Sequence, residues 1–318
     1  MDRMTVPVEA PVGRRGRRQW LRMFVVGLAL WLATVVIILV TGNPNLVPTL
    51  VLLGSFLVPV TFVAWAFAHR DTGEVTAGLV FSTFVTGGVL GVLASSVLEA
   101  YLLRPSAALF VGVGLIEEAA KLAALALLTR HLAHKSIRDG MILGAAVGFG
   151  FAAFESAGYA FTALFTVNGL SLMQVVQTEI LRGLLAPVGH GLWTAILGGV
   201  LFAPSTRAHF RVGLRLLLTF LGVSLLHALW DSMHNIALTL TLLLTEGESY
   251  RSTPNGWLVS PTAAQVRLLP VIEWGGLALV SLIGIGWLLL EWRAGRRRPP
   301  RETGWRVPTG ALAVAPPR

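Results

Sequence analysis

Three charged residues interrupt the apolar run GVGLIEEAAKLAALALL at positions 112–128: Glu117, Glu118 and Lys121. On a helix, Glu117 and Lys121 are spaced i,i+4 and Glu118 and Lys121 i,i+3, so one ammonium faces both carboxylates. Two adjacent acids beside one cation in a low dielectric can divide into a base and an acid. Three other apolar stretches carry polar residues of the same kind. GFGFAAFESAGY places Glu155 one turn after Phe151, and PVGHGLWTAILGG places Thr194 one turn after His190. SLLHALWDSMHN lines up Ser224, His227, Asp231, His234 and Asn235 along one helical stripe. A histidine with an aspartate one turn away is an oriented proton donor or general acid.

Hydrolysis needs a polarised water, a base to deprotonate it and a donor for the oxyanion. Glu117, Glu118, Glu155, His190, His227 and Asp231 are the candidate catalytic residues, with Lys121, Phe151, Thr194, His234 and Asn235 in support. Two histidines and a glutamate with an open position also match a zinc pattern. No HExxH occurs, so a metal would have to be held across helices, with His190, His227 and Glu118 as the ligands. Lys121 already neutralises one charge beside the acids, so the favoured expectation is chemistry without a cofactor, with zinc as the alternative.

The elements that position these residues are membrane spans. The chain has 318 residues, 54% hydrophobic and only 13% charged, where soluble domains carry about 25% charged residues. It has no cysteine, which excludes disulfides and a thiol nucleophile. A span needs about 20 mostly apolar residues. Eight stretches qualify, at roughly 20–41, 46–68, 76–98, 107–129, 140–165, 183–203, 214–244 and 268–292. The expected fold is an all-α polytopic bundle. It divides into a basic tail (1–19), a membrane-embedded domain (20–293, motif core 107–240) and a disordered Arg/Pro-rich tail (294–318).

With both termini cytoplasmic, 20 of the 25 Lys and Arg fall on the inner side and 4 on the outer. The net charge of +9 is explained by these membrane-flanking cations, so no nucleic acid is expected as a partner. The first apolar run lacks a small-residue cleavage site and reads as an uncleaved anchor. Arg182 and Glu179 read as interface residues, and His131 and His134 as solvated loop residues.

An ionisable group at a span centre costs about 2.5–3.5 kcal/mol on insertion scales, so each is a functional hypothesis. At ~1.5 Å per residue, Glu117, Glu155 and His190 lie roughly 10–15 Å from the outer end of their spans, and His227 and Asp231 at a similar level. Four helices thus present acids and histidines at one depth. A coupled transporter would use such groups as a relay, but the paired halves with broken helices that such proteins show are absent. A catalytically dead scaffold is the other alternative. G-x-S-x-G and GxGD, the motifs of serine and aspartyl intramembrane proteases, do not occur.

In this order and on separate spans, Glu117-Glu118-x-x-Lys121, Phe151-x-x-x-Glu155, His190 and His227-x-x-x-Asp231 resemble the PrsW family of intramembrane proteases, within the clan of the CAAX-prenyl endopeptidases and Abi proteins. The resemblance covers about residues 107–240. Glu155 stands where the prenyl endopeptidases have a histidine, which favours PrsW. The resemblance implies a multi-pass protease of the bacterial inner membrane. It would cleave membrane proteins, including anti-sigma factors, on the outer side. The family has been described both as metalloproteases and as glutamic proteases; the glutamic reading is favoured here because of Lys121.

Overall fold

The computed structural model describes residues 19–70, 74–106, 108–167, 169–206, 209–245 and 261–297. Most of the basic N-terminal tail and of the Arg/Pro-rich C-terminal tail, at 1–18 and 298–318, therefore lies outside the described residues. Helix α1 (Gln19–Thr41) stops at Gly42, whose φ of 64° and N–H bond to the Ile38 carbonyl close the helix in a conformation that favours glycine. A 3₁₀ turn (Pro44–Leu46), capped by the Asn43 side chain, leads into α2 (Val47–Phe67). Thr76 caps α3 (Ala77–Ser82), which continues through a π-helical segment (Thr83–Gly87) into α4 (Gly88–Leu102). Then come α5 (Leu109–Thr129) and α6 (Ile137–Ala163), the latter capped by the Ser136 hydroxyl. A two-residue antiparallel pair, β1 (Phe165–Thr166) with β2 (Gly169–Leu170), precedes α7 (Leu172–Leu185). A 3₁₀ turn (Ala186–Val188) separates α7 from α8 (His190–Phe202), and α9 (Leu214–Leu244) and α10 (Ala263–Arg297) follow.

The fold is an all-α polytopic bundle. Among the described residues seven helical units are long and apolar enough to cross a membrane. The eighth expected span, α5, is a helix of 21 residues packed against α4 and α9, but its three charges set it apart from the apolar seven. The expected sixth span at 183–203 begins earlier, at Leu172, because α7 and α8 form one broken unit. Gln174, Gln177, Glu179 and Arg182 lower the hydropathy of its first half and hide it from an apolar-run reading.

Helix α6 is the axis of the bundle: 83% of its most apolar window is buried, against 17% for α1 and 11% for α10. The outer helices turn Val36, Leu39, Leu282 and Leu290 outward, as lipid-facing surfaces do. Small residues make the central contact. A Cβ on Gly140, Gly144 or Gly148 would run into the carbonyl oxygens of Gly198, Thr194 or His190, so the α6 and α8 backbones touch. On another side of α6, Gly150 packs on the Phe84 carbonyl in the π segment. These contacts fix α8, and with it His190, against α6.

At one end of the bundle the Glu74 carboxylate accepts the Ala133 and His134 N–H groups at 2.8 and 3.2 Å and also meets the His134 ring. His134 is therefore a paired loop residue, where the sequence had suggested one that is only solvated. Burial pushes the Glu74 carboxyl up, but the His134 and Ala133 hydrogen bonds outweigh it and hold the group below its ordinary value.

Candidate active site

The site is assembled from α5, α6, α8 and α9, with α7 at its edge. Glu118 and Lys121 are fully buried and Glu117 nearly so. Lys121 Nζ donates to Glu118 Oε1 at 2.7 Å and to Glu117 Oε2 at 3.2 Å, which is the geometry that the i,i+3 and i,i+4 spacing predicts. The same ammonium lies 2.8 Å from His190 Nδ1 and 4.2 Å from the centre of the Phe151 ring. Phe151 also packs on His190, with ring centres 5.1 Å apart.

The two histidines are brought side by side, with ring centres 4.9 Å apart. His190 Nε2 is 3.1 Å from Glu155 Oε2, and its Nδ1 is 3.8 Å from Glu117 Oε2. His227 Nδ1 is 3.0 Å from Glu118 Oε1, and its Nε2 is 3.6 Å from Glu117 Oε2 and 3.2 Å from Asp231 Oδ2. Each ring thus sets one nitrogen on a carboxylate of its own, while the other lies near Glu117 and closer still to a second group, Lys121 Nζ for His190 and Asp231 Oδ2 for His227. Trp193, fully buried, packs on His227 at 4.7 Å between ring centres and fixes its plane.

Beside this cluster opens a cavity of about 100 Å³, lined by Glu155, Tyr159, Arg182, His190, Trp230 and Asp231 among others. A polar cavity of that size has room for several waters. A larger one of about 470 Å³ lies on another face of α8, lined chiefly by apolar residues such as Phe62, Phe149, Leu192 and Leu288, and includes none of the cluster.

Residues 59–247 match the sequence profile of a family described as PrsW family intramembrane metalloprotease. The chain belongs to the PrsW family. The match runs from within α2 to beyond the end of α9 and takes in every side chain of the cluster. No curated protein and no solved structure gives a significant match to the chain.

The description of the matched family names a metalloprotease, and the donor set of this chain fits a metal. Glu117, His190 and His227 offer ligand atoms all within 4.8 Å of one another. Bonds of ~2.0–2.1 Å in a tetrahedron put ligand atoms about 3.3–3.4 Å apart, close to the 3.6 and 3.8 Å that separate the histidine nitrogens from Glu117 Oε2. Both histidines carry a carboxylate on the nitrogen turned away from Glu117, the outer-shell arrangement typical of metal-binding histidines. The charge balance agrees. Glu117, Glu118, Glu155, Asp231 and the nearby Glu99 are five carboxylates, and Lys121 and Arg182 are two permanent cations, which leaves three negative charges if all ionise.

The grouping differs at one position from the ligand set expected from the sequence. Glu117, not Glu118, groups with the two histidines; Glu118 Oε1 lies between Lys121 Nζ and His227 Nδ1, and its Oε2 is buried. Two supporting residues also fall elsewhere. His234 Nδ1 lies 3.2 Å from Glu273 Oε2 on α10, and Asn235 is exposed. His234 thus faces α10 and not the cluster. Thr194 is fully buried one turn below His190, where a Cβ on Gly148 would stand 2.8 Å from its hydroxyl; it serves the α6–α8 contact.

Two residues were missed or misread. Arg182 donates from Nη2 to Glu155 Oε2 at 2.5 Å and from Nε to Ser156 Oγ at 2.7 Å, and its guanidinium lies 4.3 Å over the Tyr159 ring. It belongs to the site, where the sequence had read it only as an interface residue. Glu179, on the same helix, is buried and accepts from Trp31 Nε1 at 2.7 Å, tying α7 to α1.

Proposed function

We propose that this chain is a metal-dependent endopeptidase that hydrolyses peptide bonds of membrane proteins inside the bilayer of a bacterial inner membrane. Its termini lie in the cytoplasm and its site opens toward the outer half, which suits a first cut in substrates such as anti-sigma factors. Glu117, His190 and His227 would hold a divalent ion, zinc by the chemistry of the donors. The observation that carries this reading is the convergence of those three side chains while Glu155 and Glu118 orient the far nitrogens of the two histidines. Like the PrsW assignment, the order of motifs supports a place in the wider clan of CAAX and Abi proteases.

Such an ion, when bound, polarises a water and the scissile carbonyl. The rest of the work falls to side chains. Asp231 lines the cavity and has one side exposed to it, so it takes a proton from a water there; the water oxygen adds to the carbonyl carbon. Asp231 then returns that proton to the departing amine as the C–N bond breaks. Arg182 holds Glu155, and Glu155 holds His190, so the guanidinium positions a ligand without touching the reacting atoms. Lys121 holds Glu118 in place for His227.

A second reading is favoured by one contact. Lys121 Nζ already stands 2.8 Å from His190 Nδ1 and 3.2 Å from Glu117 Oε2, where a cation is wanted. In that reading Glu118 or Glu117 is the base, His227 oriented by Asp231 is the oxyanion donor, and no ion takes part. The test is cleavage of a single-span substrate by protein reconstituted in liposomes. Under the metal reading phenanthroline stops cleavage and added zinc restores it. Under the glutamic reading the rate survives the chelator, and survival overturns the proposal.

A further inference from the structure

On α4, Gly88, Gly91, Ser95 and Glu99 follow at i, i+3, i+7 and i+11, one face of a helix. Its first half is glycine because it lies directly on the site helices. A Cβ on Gly88 would meet the Gly150 backbone at 2.5 Å, and one on Gly91 would meet Phe151 at 2.9 Å and Lys121 Cγ at 3.6 Å. The next two turns of the same face carry oxygens with no partner. Ser95 is 3% exposed and its Oγ makes no hydrogen bond, and Glu99 Oε1 is buried with none. Buried polar atoms are nearly always paired. Glu118 Oε2, Thr194 Oγ1 and Ser224 Oγ around the site also lack partners. Ser95 and Glu99 are set apart by sharing one stripe whose first half packs on the site helices, and that placement points to a missing ligand. Glu99 lies within electrostatic reach of Lys121, Glu155, His227 and Asp231. The cations there are already engaged, Lys121 with Glu117 and Glu118 and Arg182 with Glu155.

We propose that Ser95 and Glu99 form a substrate subsite, in which Glu99 receives a lysine or arginine side chain next to the scissile bond and Ser95 Oγ hydrogen-bonds the adjoining peptide. This rests on the protease reading and gives it a substrate class: membrane segments with a basic residue beside the cut. Glu99 stands three residues before the end of α4, near the membrane boundary, and membrane segments carry Lys and Arg at such boundaries. A carboxylate there pairs with a cation that the apolar walls of the bundle would exclude.

The test uses full-length protein in nanodiscs and single-span peptides that carry Arg, Gln or Glu beside the cut. Binding is followed by fluorescence and cleavage by mass spectrometry. Wild type should bind and cleave the Arg peptide about tenfold or more better than the Glu peptide. Glu99→Gln, nearly isosteric, should level that preference, and Glu99→Lys should reverse it, which a structural role for Glu99 would not do. Ser95→Ala should weaken all three peptides alike. If Glu99→Lys fails to fold, levelling by Glu99→Gln decides. An unchanged Arg preference in Glu99→Gln, or no preference in wild type, overturns the subsite. Charge-selective binding without cleavage would keep the subsite and overturn the protease reading; cleavage without selectivity would do the opposite.

Discussion

Glu155 accepts from Arg182 and reaches His190 with a single oxygen, Oε2, so the imidazole depends on a two-step relay from α7. Arg182→Gln should lower metal affinity by about 10–100-fold, the usual cost of losing an outer-shell partner; metal titration of the purified variant checks this, and Arg182→Lys should recover part of it. Lys121→Met leaves two buried carboxylates without their cation and should cost about 3–5 kcal/mol of stability. Thermal unfolding in detergent should show that loss even where some activity remains. The motif residues were legible because charge in an apolar run is rare and the i,i+3 and i,i+4 spacings were read correctly. Which glutamate faces the histidines was not, since adjacent residues differ by about 100° around a helix and both reach Lys121. Arg182 was hidden because an arginine near a span end reads as a topology signal, and Glu99 because it closes an apolar span. The stripe Gly88, Gly91, Ser95 and Glu99 was the available sign that α4 faces the site.

At the scale of elements, the contact that builds the site is α6 on α8. Gly144→Leu should drive a side chain into the Thr194 carbonyl and separate two helices whose register sets the distance from Glu155 to His190. Overpacking commonly costs about 1–3 kcal/mol, and against backbone this variant should fall at the upper end and lose activity. Gly158→Ala is the control. Nothing lies within 4 Å of a Cβ there, so its unfolding temperature should stay unchanged or rise slightly. The glycines at 144, 148, 150 and 158 are alike in sequence, and only packing separates the three that touch backbone from the one that touches nothing. The break between α7 and α8 was also illegible, because α7 is amphipathic and its polar face turns to Ser156, Glu155 and Trp31 instead of to lipid.

For the whole molecule, hydropathy gave the helical bundle and most of its boundaries, since each apolar run is long and punctuated by short polar turns. It could not rank the helices by depth, because central α6 and peripheral α10 are both apolar and differ only in what covers them. The excess of cations on alternate connections predicts that reporter fusions at residues 135 and 208 read cytoplasmic, and fusions at 105 and 170 external. A cytoplasmic reading at 170 would place the cavity on the inner half and reverse the side of cleavage. The claim on which the rest depends is that Glu117, His190 and His227 hold one catalytic ion. Metal content measured per chain on the same preparations used for turnover tests it most directly. About one zinc per active chain is expected, removed and restored together with activity, with little metal in Glu117→Gln or His190→Ala. Full turnover by protein that contains no metal would contradict it.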